Sequence, residues 1–448
     1  MDKSKQLGEL EVSKLLLKFS IPAIVGMLVH ALYNVVDRIF IGNGIGSLGI
    51  AGITISFPVM LVMMAFSMLI GIGANSLVAI RLGQKNKEEA EVIFGNALVL
   101  LIGISLSITI LGSIFLNPLL KVLGASDAII PYAHDYLQII LLGAVFQSIG
   151  MGMNNFIRSE GNPRIAMYTM LIGAVLNTLL DPLFIFVFKW GIGGAATATI
   201  ISQAVSALWV MHYFFSGKSL LKIHKENLKL KLNIVLNIIS IGIAPFAMQL
   251  AASLLNIIMN NSLVIYGGDI AVSGMGVVMS LMTLILMPIF GINQGSQPII
   301  GYNYGAEQYN RVKETLKLAI FAATSIVVVG FLVTRFFPAQ LISMFNSKDQ
   351  ELINFGTYAI KIFLIFMPII GFQIVSANYF QAVGKAKHAT FLSLSRQVLI
   401  LIPALLILPK YFGLQGVLMA GPLADLISSI ITALFLYFEM KKLSVLKA

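Results

Sequence analysis

Cysteine is absent from all 448 residues. That single absence excludes disulfides, thiolate metal sites and cysteine nucleophiles together. Charge is scarce as well: 11% of residues are Asp, Glu, Lys or Arg, 58% are hydrophobic, and the mean hydropathy is +0.92. A soluble domain carries roughly 25% charged residues, so there is too little polar surface here for a water-soluble globule. No phosphate-binding glycine loop is present; Gly217-Lys218-Ser219 lacks the leading glycine that such a loop needs. ATP-driven pumping and enzymatic catalysis are therefore not expected, no cofactor is implied, and energy would come from an ion gradient. The net charge of +11 could suggest nucleic acid, but the basic residues are short clusters between apolar runs. That is how membrane topology is written, and no nucleic-acid partner is expected.

What the chain has is apolar length. Spans long enough to cross a bilayer, about 20 residues, recur at about 14–41, 48–80, 92–116, 128–157, 165–188, 192–216, 234–266, 270–300, 312–336, 352–380, 389–409 and 414–438. The first is too long for a cleavable signal and is expected to stay. The fold class is an all-α polytopic membrane protein of twelve transmembrane helices, with the lipid bilayer as its main partner. Of the 30 lysines and arginines, 23 fall in the N-terminus, the C-terminus and the loops after even-numbered spans; five fall in the opposite loops. Arg38 and Lys361 are read as lying inside spans. The positive-inside rule places both termini in the cytoplasm of a multi-pass cell-membrane protein.

A polar interval at 217–233 divides the chain at its midpoint. Pro22 and Pro245, Gly73 and Gly295, Gly83 and Gly305, Gly161 and Gly384, and Gly191 and Gly413 are all separated by 222 or 223 residues. The expected organisation is an N-lobe over 1–216, a cytoplasmic linker over 217–233 and a C-lobe over 234–448. Six spans per lobe make the repeat parallel, about an axis along the membrane normal. Two such lobes can rock about a central cleft, so that a site opens to either face in turn.

An acid inside a membrane span costs about 2.5 to 3.5 kcal/mol on insertion scales and is a functional-site hypothesis by default. Asp37 is such an acid. His30, Asn34, Asp37 and Ile41 fall on one helical face, fifteen residues after Pro22, which can bend the helix. In the fifth span Asn177 and Asp181 are four apart and share a face. Adjoining helices would make an all-oxygen site able to hold a proton or a hard cation such as sodium. No permanent metal is expected. Asn154, Asn155, Thr197 and Thr199 could contribute further oxygens or simply bond between helices. The 222–223 offset carries Asp37 to Asn260, Asn177 to Ile400 and Asp181 to Ala404, so the acids belong to one lobe. Asp425, after Gly421-Pro422, is read as structural.

Ser20-Ile-Pro22 followed by Asp37, Gly71-Ile-Gly73 through Arg81-Leu-Gly83, Asn155-Phe-Ile-Arg158-Ser-Glu-Gly161 and Gly291-Ile-Asn-Gln-Gly295-Ser-Gln-Pro298-Ile-Ile-Gly301-Tyr-Asn-Tyr-Gly305 together resemble the multidrug and toxic compound extrusion (MATE) family, in particular bacterial branches similar to staphylococcal drug exporters. The resemblance implies a V-shaped pair of six-helix lobes that export cationic or amphipathic drugs or toxins in exchange for protons or sodium. It implies cation coupling at Asp37, Asp181 and Asn177, with Thr199 and Asn154 as weaker transfers, and bending at Pro22. His30, Asn34, Asn260 and Gln294 are candidates for the substrate cavity. The transporter is expected to act as a monomer. A flippase for lipid-linked oligosaccharide or peptidoglycan precursor is the alternative, and it would call for arginines in the central helices to hold pyrophosphate.

Overall fold

A computed structural model describes residues 5–45, 47–123, 125, 127, 129–344 and 350–445; side chains at several helical positions between His30 and Ile50, and at Asp269, Ser444 and Val445, fall outside the description. Among the described residues the protein is all helix. This is what lipid demands, because a backbone with no water to bond must satisfy its own N–H and C=O groups within each segment. The first half comprises α1 (Gln6–Glu9), α2 (Val12–Gly44), α3 (Ser47–Gly83), α4 (Lys87–Ile114), α5 (Leu116–Val122), α6 (Ile130–Leu142), α7 (Ala144–Ser159), α8 (Pro163–Pro182) and α9 (Gly191–Phe215). The second half comprises α10 (Leu232–Gly305), α11 (Tyr309–Phe336), α12 (Pro338–Ser343), α13 (Gln350–Phe363), α14 (Met367–Ala382), α15 (Ala386–Leu394) and α16 (Ile402–Val445).

Nine described segments are long and apolar enough to span a membrane, and two bent pairs raise the number to eleven. The last segment, Ala386–Leu443, holds 58 residues and turns at Gly413, so it accounts for two crossings. The total agrees with the twelve expected. The bent pairs are α6–α7, at 52°, and α13–α14, at 54°. α2 runs on as one helix through Pro22, so the proline does not break it.

The 222–223 offset returns in the backbone. Left-handed φ angles occur at Gly161 and Gly384, at Gly191 and Gly413, and at Lys85 and Glu307. The halves meet chiefly where α10 packs on α3 and α2, and there glycine is obligatory. A Cβ on Gly83 would stand 1.9 Å from the carbonyl oxygen of Tyr302, and one on Gly305 would stand 2.0 Å from that of Ile80. The two contacts exchange under the offset, as in a two-fold interface where one patch meets its own copy. A Cβ on Gly242 would stand 1.8 Å from the Leu69 carbonyl oxygen in the same sense, and one on Gly295 would lie 2.8 Å from the Ser20 backbone.

Two polar straps hold the ends of these helices. Before α2, Leu7 is fully buried and its carbonyl accepts from Asn303 Nδ2 at 2.8 Å and Arg311 Nη2 at 3.2 Å, both in the second half; Gln6 Nε2 donates to the Gly161 carbonyl at 2.7 Å in the first. Before α10, the 217–233 interval lies against the first half. Asn96 Nδ2 donates to the Asn227 and Lys229 carbonyls at 3.2 and 3.1 Å, and Asn96 Oδ1 accepts from Lys231 N–H at 2.8 Å. Glu160 accepts from the Leu221 N–H at 2.7 Å and from the Tyr213 and Ser219 hydroxyls. Burial pushes the Glu160 carboxyl above its ordinary range, against the pull of those donors.

Arg396, one of the 23 basic residues assigned above to the termini and the loops after even-numbered spans, lies inside the long Ala386–Leu443 segment, in a π-helical turn over Ser395–Leu401. Its Nε donates to Asp425 Oδ1 at 2.6 Å. A buried carboxylate needs such a partner, and the pair agrees with the structural reading of Asp425.

Candidate functional site

The carboxylates of α2 and α8 meet inside the first half because those two helices pack along each other, with α9 behind α8. Asn177 and Asp181, one helical turn apart, both turn inward. Asp181 is fully buried and Asn177 is 3% exposed. Asn177 Nδ2 donates to Asp181 Oδ1 at 3.2 Å and to Thr199 Oγ1 at 3.4 Å. Thr199 in turn donates to the Ala195 carbonyl at 3.1 Å. Asp37 interacts electrostatically with Asp181, and two ionised carboxylates so placed oppose one another.

The acceptors outnumber the donors. Asp181 Oδ2 and Asn177 Oδ1 are buried without a donor among the described residues. Like charges at contact distance in a low-dielectric interior repel strongly. Chemically, such an arrangement of carboxylate, amide and hydroxyl oxygens can accept a proton or a small hard cation. No described group of three or more His, Asp or Glu side chains is placed to ligate a metal permanently.

Four of the residues singled out in the sequence are brought together here: Asp37, Asp181, Asn177 and Thr199. Tyr33, which sequence reasoning passed over, interacts electrostatically with both acids. Its signal was there, since Tyr33 precedes Asp37 by one helical turn, but a tyrosine in an apolar run reads as packing. Asn154 is not brought to the cluster. Its Nδ2 donates to the Ala166 carbonyl at 3.1 Å, near the start of α8 and about four turns from Asp181. The structure thus places the Asn154 amide between α7 and α8, away from the Asp181 cluster. Thr197 bonds the Gly193 carbonyl of its own helix at 2.7 Å.

Of the cavity candidates, Gln294 lies where the halves meet, with Nε2 against Met27 Sδ at 3.3 Å and Oε1 buried without a donor among the described residues. Asn260 is exposed on α10. The side chains of His30, Asn34 and Arg38 lie outside the described residues.

Comparison with known proteins is consistent across the whole chain. The MatE family model matches residues 22–183 and again 244–406. The multidrug export protein MepA of Staphylococcus haemolyticus is 27% identical over 98% of this chain and 96% of its own length. A solved MATE multidrug transporter, DinF-BH, is 44% identical over 95% of both chains, with a TM-score of 0.88. A structure described as the outward-facing conformation of a multidrug resistance MATE family transporter superposes with a TM-score of 0.92 at 25% identity, covering 98% of both chains.

Proposed function

We infer that this chain, which belongs to the MATE family of membrane transporters, is a secondary multidrug exporter that expels cationic or amphipathic small molecules in exchange for protons or sodium ions. Its two halves act as lobes, N-terminal over 1–216 and C-terminal over 234–448, in the cell membrane with both termini cytoplasmic. The observation that carries the reading is the buried all-oxygen cluster of Asp37, Asp181, Asn177 and Thr199, which holds more acceptors than donors.

The coupling ion is cargo that enters from the outer face down its gradient. Each elementary charge moved inward releases about 2.3 kcal/mol per 100 mV. Its arrival relieves the repulsion between Asp37 and Asp181 and draws α2 onto α8. Because α2 also packs on α10, a shift in α2 changes the walls of the space between the lobes. Ion and drug then disfavour one another reciprocally, which is antiport expressed as linkage. Opening toward the cytoplasm requires the glycine seam to part. That costs close backbone contacts and strains the hydrogen bonds from Asn303 and Arg311 to Leu7, and the difference in binding energy between the two states must offset both.

The pyrophosphate flippase gains nothing from Arg396, because that residue is committed to Asp425. Everted vesicles carrying Asp37→Asn are expected to insert the protein normally and to lose drug uptake to background; transport at the level of the unsubstituted chain would sink the reading. Proton and sodium gradients imposed separately on reconstituted protein identify the ion, and drug movement insensitive to both would refute antiport.

A further inference from the structure

The second half carries a groove with no part in the cation site. It is about 720 Å³ and lies between the turn from α14 into α15 and the last turns of α16. Lys385, Lys387 and Lys442 line it together with His388, Phe435 and Phe438. One carboxylate, Glu439, faces it and is already engaged by Lys385 and by the Tyr379 hydroxyl. Among the described residues Lys387 and Lys442 have no ion-pair partner, so the groove keeps an excess of two positive charges. Its aromatic wall is ordered: the His388 ring stacks on Phe380 at 5.6 Å between centroids and meets Phe435 edge-on at 5.6 Å. Phe438, at 66% exposure, and Leu434, at 53%, continue an apolar surface away from the lysines.

The repeat shows what fills the matching place in the first half. An offset of 222 carries Glu439 to Gly217 and Lys442 to Leu220. There the helix ends at Phe215, Gly217 turns the chain with φ of 74°, and Ser219 and Leu221 fold back to be buried against Glu160. In the second half α16 runs straight on to Val445. Over its described residues α16 stays helical where the first half turns back, and lysines stand at the groove's rim.

We propose that this C-lobe groove is a binding site for one anionic phospholipid of the inner leaflet, its phosphate between Lys387 and Lys442 and its acyl chains along Phe438 and Leu434. Cationic pockets at the cytoplasmic ends of membrane helices select such headgroups, and the inner-leaflet assignment rests on the cytoplasmic placement of the termini. A lipid seated here would bind the α14–α15 turn to α16, as Ser219 and Leu221 bind the corresponding elements of the N-lobe.

The test is native mass spectrometry of the intact, delipidated protein in detergent, titrated with phosphatidylglycerol or phosphatidylcholine. One phosphatidylglycerol is expected to be retained in preference to phosphatidylcholine. Each Lys→Gln change at 387 or 442 should weaken its retention roughly fivefold, and the pair about 25-fold. Lys387→Arg with Lys442→Arg should retain it, and Lys410→Gln should change nothing. Equal retention of the two lipids, or insensitivity to the paired Gln change, overturns the site. Displacement of the lipid by millimolar inorganic phosphate overturns the lipid as the source, and phosphatidylglycerol binding that appears only in a chain ending at Val445 assigns the groove to the C-terminal residues instead. Sidedness has no bearing in detergent, so loss of lipid retention and loss of drug export are independent failures.

Discussion

The two halves share one backbone plan and differ in how they treat a buried carboxylate. In the first, Asp37 and Asp181 face each other beside an amide and a hydroxyl. In the second, the aligned positions are Asn260, Ile400 and Ala404, while Asp425 of the last helix is 4% exposed and bonded to Arg396. A buried acid with its own guanidinium is finished as structure. A buried acid that faces another acid keeps an acceptor, Asp181 Oδ2, with no donor among the described residues, and that contrast separates the half proposed to carry coupling from the half that completes the scaffold.

The contrast breaks first at the cluster. Asp181→Asn is expected to remove gradient-driven export as completely as Asp37→Asn while leaving the folded yield unchanged; ion-driven drug flux in proteoliposomes measures it, and residual coupling in the double variant would show the acids to be structural. Asp425→Asn should behave in the opposite way. It removes the counter-charge of a part-exposed Arg396 but keeps an Oδ1 acceptor, so stability should fall by about 1 to 3 kcal/mol, while export per folded molecule persists. Thermal unfolding in detergent reads the loss, and Asp425→Leu paired with Arg396→Met should recover most of it.

The glycine seam sharpens the comparison from the other side, because there the halves are equivalent. Gly83→Ala and Gly305→Ala each press a methyl into a carbonyl of the opposite half, at about 1 to 3 kcal/mol, or roughly tenfold against the closed seam. Both should raise labelling of a cysteine introduced at Ser76, in this otherwise cysteine-free chain, and to the same extent; unequal responses would contradict a symmetric seam. The smallest effect is expected at Asn260, where substitution by Ala should alter coupled transport by less than about twofold, the range of an exposed position. A larger change there would bring the second half into the site.

Much of the cluster was legible in the sequence because the physics is local. A carboxylate inside an apolar run is costly wherever the helix packs, and Asn177 and Asp181 share a face by helical period alone. Asn154 could not be placed this way. Its residue type suits ligation, but its distance from Asp181 depends on where along α8 the α7 helix meets it. Tyr33 was hidden for the same reason, since only the approach of α8 distinguishes a tyrosine beside two acids from one that fills a gap. Arg396 was read as a loop residue because a positive charge usually marks a boundary; the rule fails where a buried Asp425 waits on the neighbouring helix.

By itself the sequence determined the all-helical membrane class, the number of crossings, the repeat and the identity of the costly acids, because each follows from composition, period or offset along one chain. Only the tertiary structure decided which acceptors lack donors, that the seam between the halves is backbone against backbone, and that the linker's polar groups are spent on the first half. Those are properties of distances between segments remote in sequence, and hydrogen bonds and like-charge repulsion act at ranges that no spacing along the chain can fix.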